Sequence, residues 1–118
     1  MSAVAFSATF LEFIAKGELR FVRNARTGAV LSYTTRPAAD ERIEWVRAGG
    51  GATLHSFAVY RQAYSPEFPV PYNVAMVALD EGPLLLSTVE IDDLARLKVG
   101  MRLSARFMEH GRLVFVPA

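Results

Sequence analysis

The chain has 118 residues, of which 52% are apolar, and its 13 basic and 12 acidic side chains leave a formal charge of +1. This length suits one compact domain or two very small ones, and the near balance of charge argues against a dedicated nucleic-acid binder, whose affinity depends largely on neutralised phosphates. Because the sequence contains no cysteine, disulfides, iron–sulfur clusters and thiolate zinc sites are excluded.

The composition of the N-terminus does not predict a signal peptide, because no basic stretch precedes its apolar residues. No apolar run approaches the roughly 20 residues that a helix needs to cross a bilayer. We therefore expect a cytoplasmic protein.

Four arginines that lie close together in sequence form either a local basic patch or an ordinary solvated surface, and they are Arg20, Arg23, Arg26 and Arg36.

The first predicted element is a short helix from about residue 2 or 7 to residue 16. Its apolar side chains recur at helical spacing, and they are Phe6, Phe10, Phe13 and Ile14. Gly17 follows and is able to adopt the left-handed conformation that ends a helix. This apolar stripe packs either on its own domain, as in most small domains, or on a partner.

Short extended segments come next, at residues 19–23, 29–33 and 43–46, and connectors rich in turn-forming residues separate them. This region is too short and too polar to hold a core by itself. The sequence therefore divides into an N-terminal segment, residues 1–46, and a second domain, residues 47–118.

The second domain begins with three glycines at residues 49–51, which allow the strand predicted at residues 52–61 to bend sharply. After a loop that contains three prolines, residues 74–79 and 84–86 form a hairpin around a turn at residues 80–82. Both arms are apolar on both faces, whereas a strand with one wet face alternates. Both faces of the hairpin are therefore expected to be covered, the outer one by another part of this chain or by another protein.

The last part of the chain predicts one helical turn near residues 92–95, a chain reversal at residues 99–101 and two further strands. Residues 102–109 alternate between polar and apolar, so this strand should have one wet face. A turn at His110 and Gly111 leads to a final strand at residues 113–116. Five antiparallel strands with a short helix between the third and fourth predict a mainly β chain with an OB-fold barrel, and a small sandwich is the competing architecture.

The sequence offers no catalytic constellation. His55 and Ser56 are neighbours on a predicted strand and so should point to opposite faces, and no nucleophile elbow is present. The acidic pairs at residues 80–81 and 92–93 lie in predicted turns, where carboxylates keep ordinary acidity. His55 and His110 cannot complete a metal site alone. We therefore expect no catalytic residue, no metal and no cofactor.

Aromatic side chains border the loop after the first barrel strand. They are Tyr60, Tyr64, Phe68 and Tyr72, and Arg61 lies beside the first of them. Long loops of such barrels often border the binding face, where aromatic rings stack on a base or line an acyl channel. The alternative is that these rings fold back and cap the barrel.

Several motifs, in order along nearly the whole chain, resemble those of a known family. They are residues 10–19, residues 44–46 followed by 49–57, Pro71-Tyr72, residues 78–83 and residues 99–101. Together they are similar to the acyl-CoA-associated OB-fold proteins, long described as a domain of unknown function. Members of that family have an N-terminal helix, a rubredoxin-like zinc ribbon and a C-terminal OB-fold.

The resemblance implies two C-x-x-C knuckles that this chain lacks. The first would lie near Asn24 and Thr27 and the second near Thr35 and Ala38, and none of these residues is cysteine. Since a structural zinc supplies much of the stability of such a small module, the zinc-less segment must pack on the barrel, rely on a partner or be mobile. Three aromatic residues are candidate replacements as apolar anchors, namely Phe21, Tyr33 and Trp45.

Family members commonly act beside thiolase-like or hydratase enzymes of acyl-CoA metabolism, and some form part of a channel for the substrate. The resemblance therefore implies a non-catalytic accessory protein that binds such an enzyme and contacts acyl-CoA. The residues expected to bind the phosphates and adenine of CoA are Arg23, Arg36, Tyr60 and Arg61. The alternatives are a single-stranded nucleic-acid-binding module and, ranked last, a self-contained acyl-CoA hydrolase. Self-association of the chain stays open.

Overall fold

The computed structural model describes residues 3–33, 37–61 and 71–118. A helix, α1 (Ala3–Ala15), precedes a two-stranded sheet formed by β1 (Arg20–Asn24) and β2 (Ile43–Arg47). A five-stranded sheet follows, made of β3 (Gly51–Tyr60), β4 (Tyr72–Leu79), β5 (Leu84–Ser87), β6 (Arg102–Met108) and β7 (Arg112–Pro117). Short 3-10 turns lie at Leu94–Arg96 and Glu109–Gly111.

The strands of the larger sheet are arranged in the order β5-β4-β3-β6-β7, and all neighbours are antiparallel. The two edges of this sheet meet just after β5. There the Glu90 N–H donates to the carbonyl of Phe115 at 2.8 Å, and the Phe115 N–H donates to the carbonyl of Thr88 at 2.9 Å. The first barrel strand thus pairs with the second and fourth, and the third closes against the fifth. The predicted OB-fold is confirmed, rather than a sandwich.

A buried asparagine completes this closure. Asn73 is 3% exposed, and its side-chain amide makes two hydrogen bonds of 2.9 Å to the backbone of Val89, one as donor and one as acceptor. The Thr88 hydroxyl donates to the carbonyl of Asn73 at 3.3 Å. Because buried backbone N–H and C=O groups need partners, the amide replaces a strand at the point where the chain leaves β5.

The core lies inside the barrel and is formed by the inward residues of the five strands and the segments between them. Its members are each at most 8% exposed, and they include Ala52, Leu54, Ala75, Val77, Leu79, Leu85, Val89, Leu97, Leu103 and Phe115. Ile14 and Leu19 belong to the same cluster. The end of α1 and the residue before β1 therefore close one end of the barrel.

The strand β3 departs from regular geometry at two points. Its pairing with β4 shifts between Leu54 and Ser56, so His55 lies in a bulge, and bulges add the twist that a small barrel needs. His55 and Ser56 are both exposed. At the entrance to the strand, a Cβ on Gly51 would lie only 2.3 Å from Oδ2 of Asp80. A side chain here would therefore displace the Asp80 carboxylate and the Arg102 guanidinium beside it.

Aromatic contacts hold the two-stranded sheet and the loop between its strands against α1. Phe13 packs on Trp45 with ring centroids 5.5 Å apart, and Phe10 meets Tyr33 edge to face at 4.9 Å. Gly17, at a φ of 77°, follows the helix as predicted. No helix in the described part of the chain is long and apolar enough to span a bilayer.

The extended segment predicted at residues 29–33 lies beside β1 but does not form a regular strand. A turn after Asn24 brings the chain back beside β1, but only Val30 forms a bridge, opposite Arg23. The Leu31 N–H adds one hydrogen bond of 2.8 Å to the carbonyl of Val22. These contacts are too few for a strand, and they lie on the edge of β1 opposite to β2, which pairs with β1 along its whole length.

Replacing Asn73 with alanine is expected to lower the free energy of unfolding by about 2–4 kcal/mol, because it leaves the buried N–H and C=O of Val89 without partners. Denaturant unfolding followed by circular dichroism measures this loss. The Thr88→Val variant is the matched control, since it removes only the longer bond and should lose about 1 kcal/mol or less. Equal losses in the two variants would contradict the role given to Asn73.

Candidate functional site

Hydrogen bonds join the two loops in which the resemblance places the zinc knuckles. The side-chain carbonyl of Asn24 accepts bonds from the N–H groups of Arg26 (2.8 Å) and Thr27 (3.0 Å). Its amide nitrogen donates to Oε2 of Glu41 at 2.9 Å, and Oε1 of Glu41 accepts from the Ala38 N–H at 3.3 Å. One carboxamide and one carboxylate therefore connect the two loops that a metal would have connected.

Three of the four positions at which the resemblance places zinc ligands are described, and Thr35 lies outside the described residues. No group of three or more His, Asp or Glu side chains suited to a metal is found among the described residues. Of the anchors expected to replace zinc, Tyr33 and Trp45 pack against α1, and Phe21 is 6% exposed. The described part of the zinc-less segment thus packs on the helix through Tyr33 and Trp45.

The residues expected to contact CoA lie in two separate parts of the structure. Tyr60 ends β3, and Arg61 follows it and is exposed. Arg23 lies in the other sheet, and its guanidinium forms an ion pair with the Glu44 carboxylate on β2. Arg36 lies outside the described residues. A phosphate at Arg23 would therefore lie beside the Glu44 carboxylate, which repels it.

Tyr60 stacks on Tyr72 across the β3–β4 pair. The ring centroids are 5.1 Å apart and the ring planes differ by 15°. This pair stands at the end of the barrel where the loop 62–70 begins and ends. Tyr64 and Phe68 of that loop lie outside the described residues, so the alternative of a capping loop stays open.

The acidic pairs that the sequence offers as candidate acids have structural partners. Asp80 makes a two-pronged ion pair with Arg102, at 2.7 and 2.9 Å, and hydrogen bonding to this guanidinium lowers the pKa of Asp80. Asp92 pairs with Arg96 at 3.0 Å, and Asp93 caps the 3-10 turn that follows. These exposed carboxylates stabilise turns.

Glu81 connects the hairpin turn with the glycine segment that precedes β3. Its Oε2 accepts from the Gly49 N–H at 2.9 Å, while its Oε1 is buried with no hydrogen-bond partner among the described residues. The Tyr33 hydroxyl donates to the carbonyl of Arg20 at 2.6 Å. Burial, together with the charge of Glu81, raises the pKa of Tyr33, so this hydroxyl stays protonated and keeps its hydrogen bond.

The outer surface of β3, β4 and β5 carries a patch of uncharged side chains, which the cross-strand register places side by side. We call this patch the hairpin face, and it consists of Thr53, Ser56, Ala58, Val74, Met76, Ala78, Leu84 and Leu86. Leu86 is 62% exposed and Leu84 is 41% exposed. The inner face of the hairpin is buried as predicted, whereas its outer face is partly open to solvent.

Other described parts of the chain leave the hairpin face open. The helix α1 contacts β1, β7 and the turn Glu109–Gly111, and among the described residues it has no extensive contact with β4 or β5. The strand β6 looks different, since its outward residues Arg102, Ser104 and Arg106 are exposed and polar, as predicted. Contiguous apolar surface separated from charged surface in this way is typical of an interaction site.

A groove of about 950 Å³ adjoins the hairpin face. The beginnings of β4 and β7 line it, together with residues 88–92 and Leu94. Its apolar wall consists of Tyr72, Val74, Ile91 and Leu94, and its charged residues are Glu90, Asp92 and Arg112. Sequence reasoning missed this groove because its walls come from three segments that are far apart in the chain.

Residues 45–108 match the family described as "ChsH2, C-terminal OB-fold domain". A curated relative, the 3-oxo-4,17-pregnadiene-20-carboxyl-CoA hydratase alpha subunit of Mycobacterium tuberculosis, is 33% identical over 67 residues. That match covers 57% of this chain and 22% of the relative, so the chain corresponds to about a fifth of the relative's length.

Two solved structures are similar over nearly the whole chain. One, described as "Ltp2-ChsH2(DUF35) aldolase", has a TM-score of 0.83 and 23% identity, covering 94% of this chain and 93% of that one. A DUF35 protein of unknown function from Sulfolobus solfataricus has a TM-score of 0.67 and 15% identity, covering 96% and 85%. At these identities the likeness shows the fold.

Replacing Asn24 with alanine is expected to lower the free energy of unfolding by about 1–2 kcal/mol, because the bridge between the two loops is lost. Differential scanning calorimetry measures this, and the wild-type Tm should be the same with and without a metal chelator. Arg26→Ala is the matched control, because only its backbone takes part in the bridge. A chelator-sensitive Tm, or equal effects of the two substitutions, would contradict the assignment.

Proposed function

Because the chain belongs to the family of ChsH2 C-terminal OB-fold domains, we propose that it is a non-catalytic accessory subunit that binds a thiolase-like or related enzyme of acyl-CoA metabolism. The observation that carries this proposal is the hairpin face, an uncharged surface with two exposed leucines. The curated relative is named as a hydratase subunit, and the description of the similar solved structure joins Ltp2 to ChsH2(DUF35) in an aldolase. Both names support a role within an enzyme assembly.

The chemistry of the hairpin face favours a protein partner over a nucleic acid. OB-folds bind oligonucleotides on the surface of their second and third strands, which are β4 and β5 here. Binding of single strands there requires cations along the backbone path as well as aromatic rings for the bases. The hairpin face contains no cation, and Arg102 at its border is already paired with Asp80. Nothing on this face favours the nucleic-acid alternative.

A role without catalysis is supported by the surroundings of the candidate groups. His55 is exposed in the bulge of β3, and Asp80, Asp92 and Asp93 hold turns. General acid–base work needs a group positioned beside a bound substrate, with a pKa near the working pH. The pKa of Asp80 is instead lowered by Arg102. In our proposal the chemistry belongs to the partner enzyme.

The Leu86→Glu variant is expected to bind its partner at least about tenfold more weakly, because docking would desolvate a carboxylate in place of an apolar side chain. The measurement is co-expression with the thiolase-like protein encoded nearby, followed by size-exclusion chromatography and titration calorimetry. Val99→Glu is the matched control. Val99 is 67% exposed and lies in the turn before β6, outside the hairpin face, so its variant should bind like the wild type.

Two results would count against this proposal. Separate elution of the wild-type chain from every thiolase-like or hydratase-like protein encoded nearby would remove the accessory role. Wild-type affinity in the Leu86→Glu variant would remove the hairpin face from the interface.

Contact with acyl-CoA is a further part of the proposal. Stacking of the adenine on the Tyr60–Tyr72 pair would bring a phosphate near Arg61, so Arg61→Gln should weaken CoA binding by about tenfold. Arg47→Gln is the control, since Arg47 is exposed on β2 in the other sheet. Titration calorimetry with CoA measures the affinity of each variant, both alone and in complex with the partner enzyme. Equal affinities in the two variants would contradict this placement.

A further inference from the structure

We infer that the groove beside the hairpin face receives a segment of the partner enzyme in which a lysine or arginine accompanies an apolar side chain. This inference rests on the proposed function and names the charged part of the same interface. The groove is defined by residues 71–74 and 88–92, together with Leu94 and Arg112.

The charged residues of the groove favour an incoming cation. Glu90 and Asp92 outnumber Arg112 among the lining residues, and their side chains are 48% and 80% exposed. The nearest contact between Arg112 and Glu90 is 4.0 Å, and exposed pairs of this kind contribute little. Arg96 holds one side of Asp92 at 3.0 Å, but most of that carboxylate faces water. Both carboxylates are therefore accessible to a partner.

The apolar wall of the groove suits the stem of a long basic side chain. Tyr72, Val74, Ile91 and Leu94 are all half-buried. Lysine and arginine bury their methylene stems along apolar surface and keep the charged head near water or a carboxylate. A wall of this kind below an acidic rim fits such a side chain together with an apolar neighbour.

Much of the backbone of residues 88–90, which borders the groove, is already hydrogen-bonded within the barrel. The N–H and C=O groups of Val89 bond to the side chain of Asn73, and the Thr88 carbonyl and Glu90 N–H bond to Phe115. Recognition of an extended peptide by strand addition needs a free edge. These bonds favour recognition through side chains in this part of the groove.

The same charges disfavour a phosphate-bearing ligand in the groove. The phosphates of a nucleotide or of CoA would face Glu90 and Asp92, and the juxtaposition of like charges is costly. The groove is therefore a site for a polypeptide cation, and the CoA contact proposed at Tyr60 and Arg61 is separate from it.

Continuity with the hairpin face links the groove to the same partner, because Val74 belongs to both surfaces. Protein interfaces commonly have an apolar centre and a polar rim. The hairpin face would supply the centre and the groove the acidic rim. The partner should accordingly present an apolar patch with a basic residue at one side.

The test compares two double variants in the full chain, using the thiolase-like protein that co-elutes with the wild type as the probe. The groove variant, Glu90→Lys with Asp92→Lys, reverses the charge of both carboxylates in the groove. The control variant, Glu12→Lys with Asp40→Lys, makes the same change in charge at exposed carboxylates elsewhere. We expect the groove variant to bind about tenfold or more weakly than the wild type. We also expect added salt to weaken the wild-type complex and to have little effect on the complex of the groove variant. The control variant should retain both wild-type properties.

The outcomes separate this inference from the proposal on which it rests. A groove variant that binds like the wild type would overturn the inference and leave the accessory role intact. An equal loss in the control variant would also overturn it, since the effect would then follow the net charge of the chain. If the wild-type chain binds no such enzyme, the proposed function fails, and the inference fails with it.

Discussion

Closure of the barrel at residues 88–90 is the constraint on which the rest of the structure depends. The backbone of this segment is held from one side by the Asn73 amide and from the other by Phe115. Closure fills the interior with side chains, so recognition is left to the outer surface. Closure holds the end of β5, and the ladder between β4 and β5 brings Leu84 and Leu86 into one patch with Met76. The hairpin face is therefore a product of the same bonds that seal the core.

The features predicted correctly from the sequence depend on local rules. The hairpin follows from apolar runs on either side of a turn, and the end of α1 follows from Gly17, so each is readable within a few residues. The prediction at residues 29–33 is confirmed only in part. Arg23 pairs with Glu44 of β2 on one side and with Val30 on the other, but the hydrogen bonds of Ala29 and Leu31 are too few for a regular strand.

The candidate sites show the same limit. Arg23 and Tyr60 were grouped by the chemistry that CoA requires, yet they lie in different sheets, and Glu44 already holds Arg23. The bridge that replaces zinc is half visible in the sequence. Asparagine commonly accepts hydrogen bonds from the backbone of a following turn, so the role of Asn24 is predictable from the sequence. Its partner Glu41 lies 17 residues away, and no local pattern connects the two. The acidic groove depends entirely on tertiary placement.

The outside of the barrel has an uncharged side, the hairpin face, and a charged side on β6. The Asp80–Arg102 ion pair lies between the two. Gly51 allows this pair to form, because a side chain at that position would meet Asp80. The guanidinium lowers the pKa of Asp80, so the carboxylate keeps its charge into more acidic solution than a free aspartate does. An apolar partner surface that docks on the hairpin face therefore meets a fixed ionic border beside β6.

The contact between Phe13 and Trp45 also gives this protein a built-in optical probe. Trp45 is the one tryptophan of the chain, and it lies between α1 and the two-stranded sheet, in a different sheet from the hairpin face. Its emission therefore reports whether the helix is seated on the N-terminal segment. The stacked ring pair at Tyr60 and Tyr72 belongs to the barrel and contains no tryptophan. Loosening of the helix from the zinc-less segment is thus measurable by tryptophan emission without any attached dye.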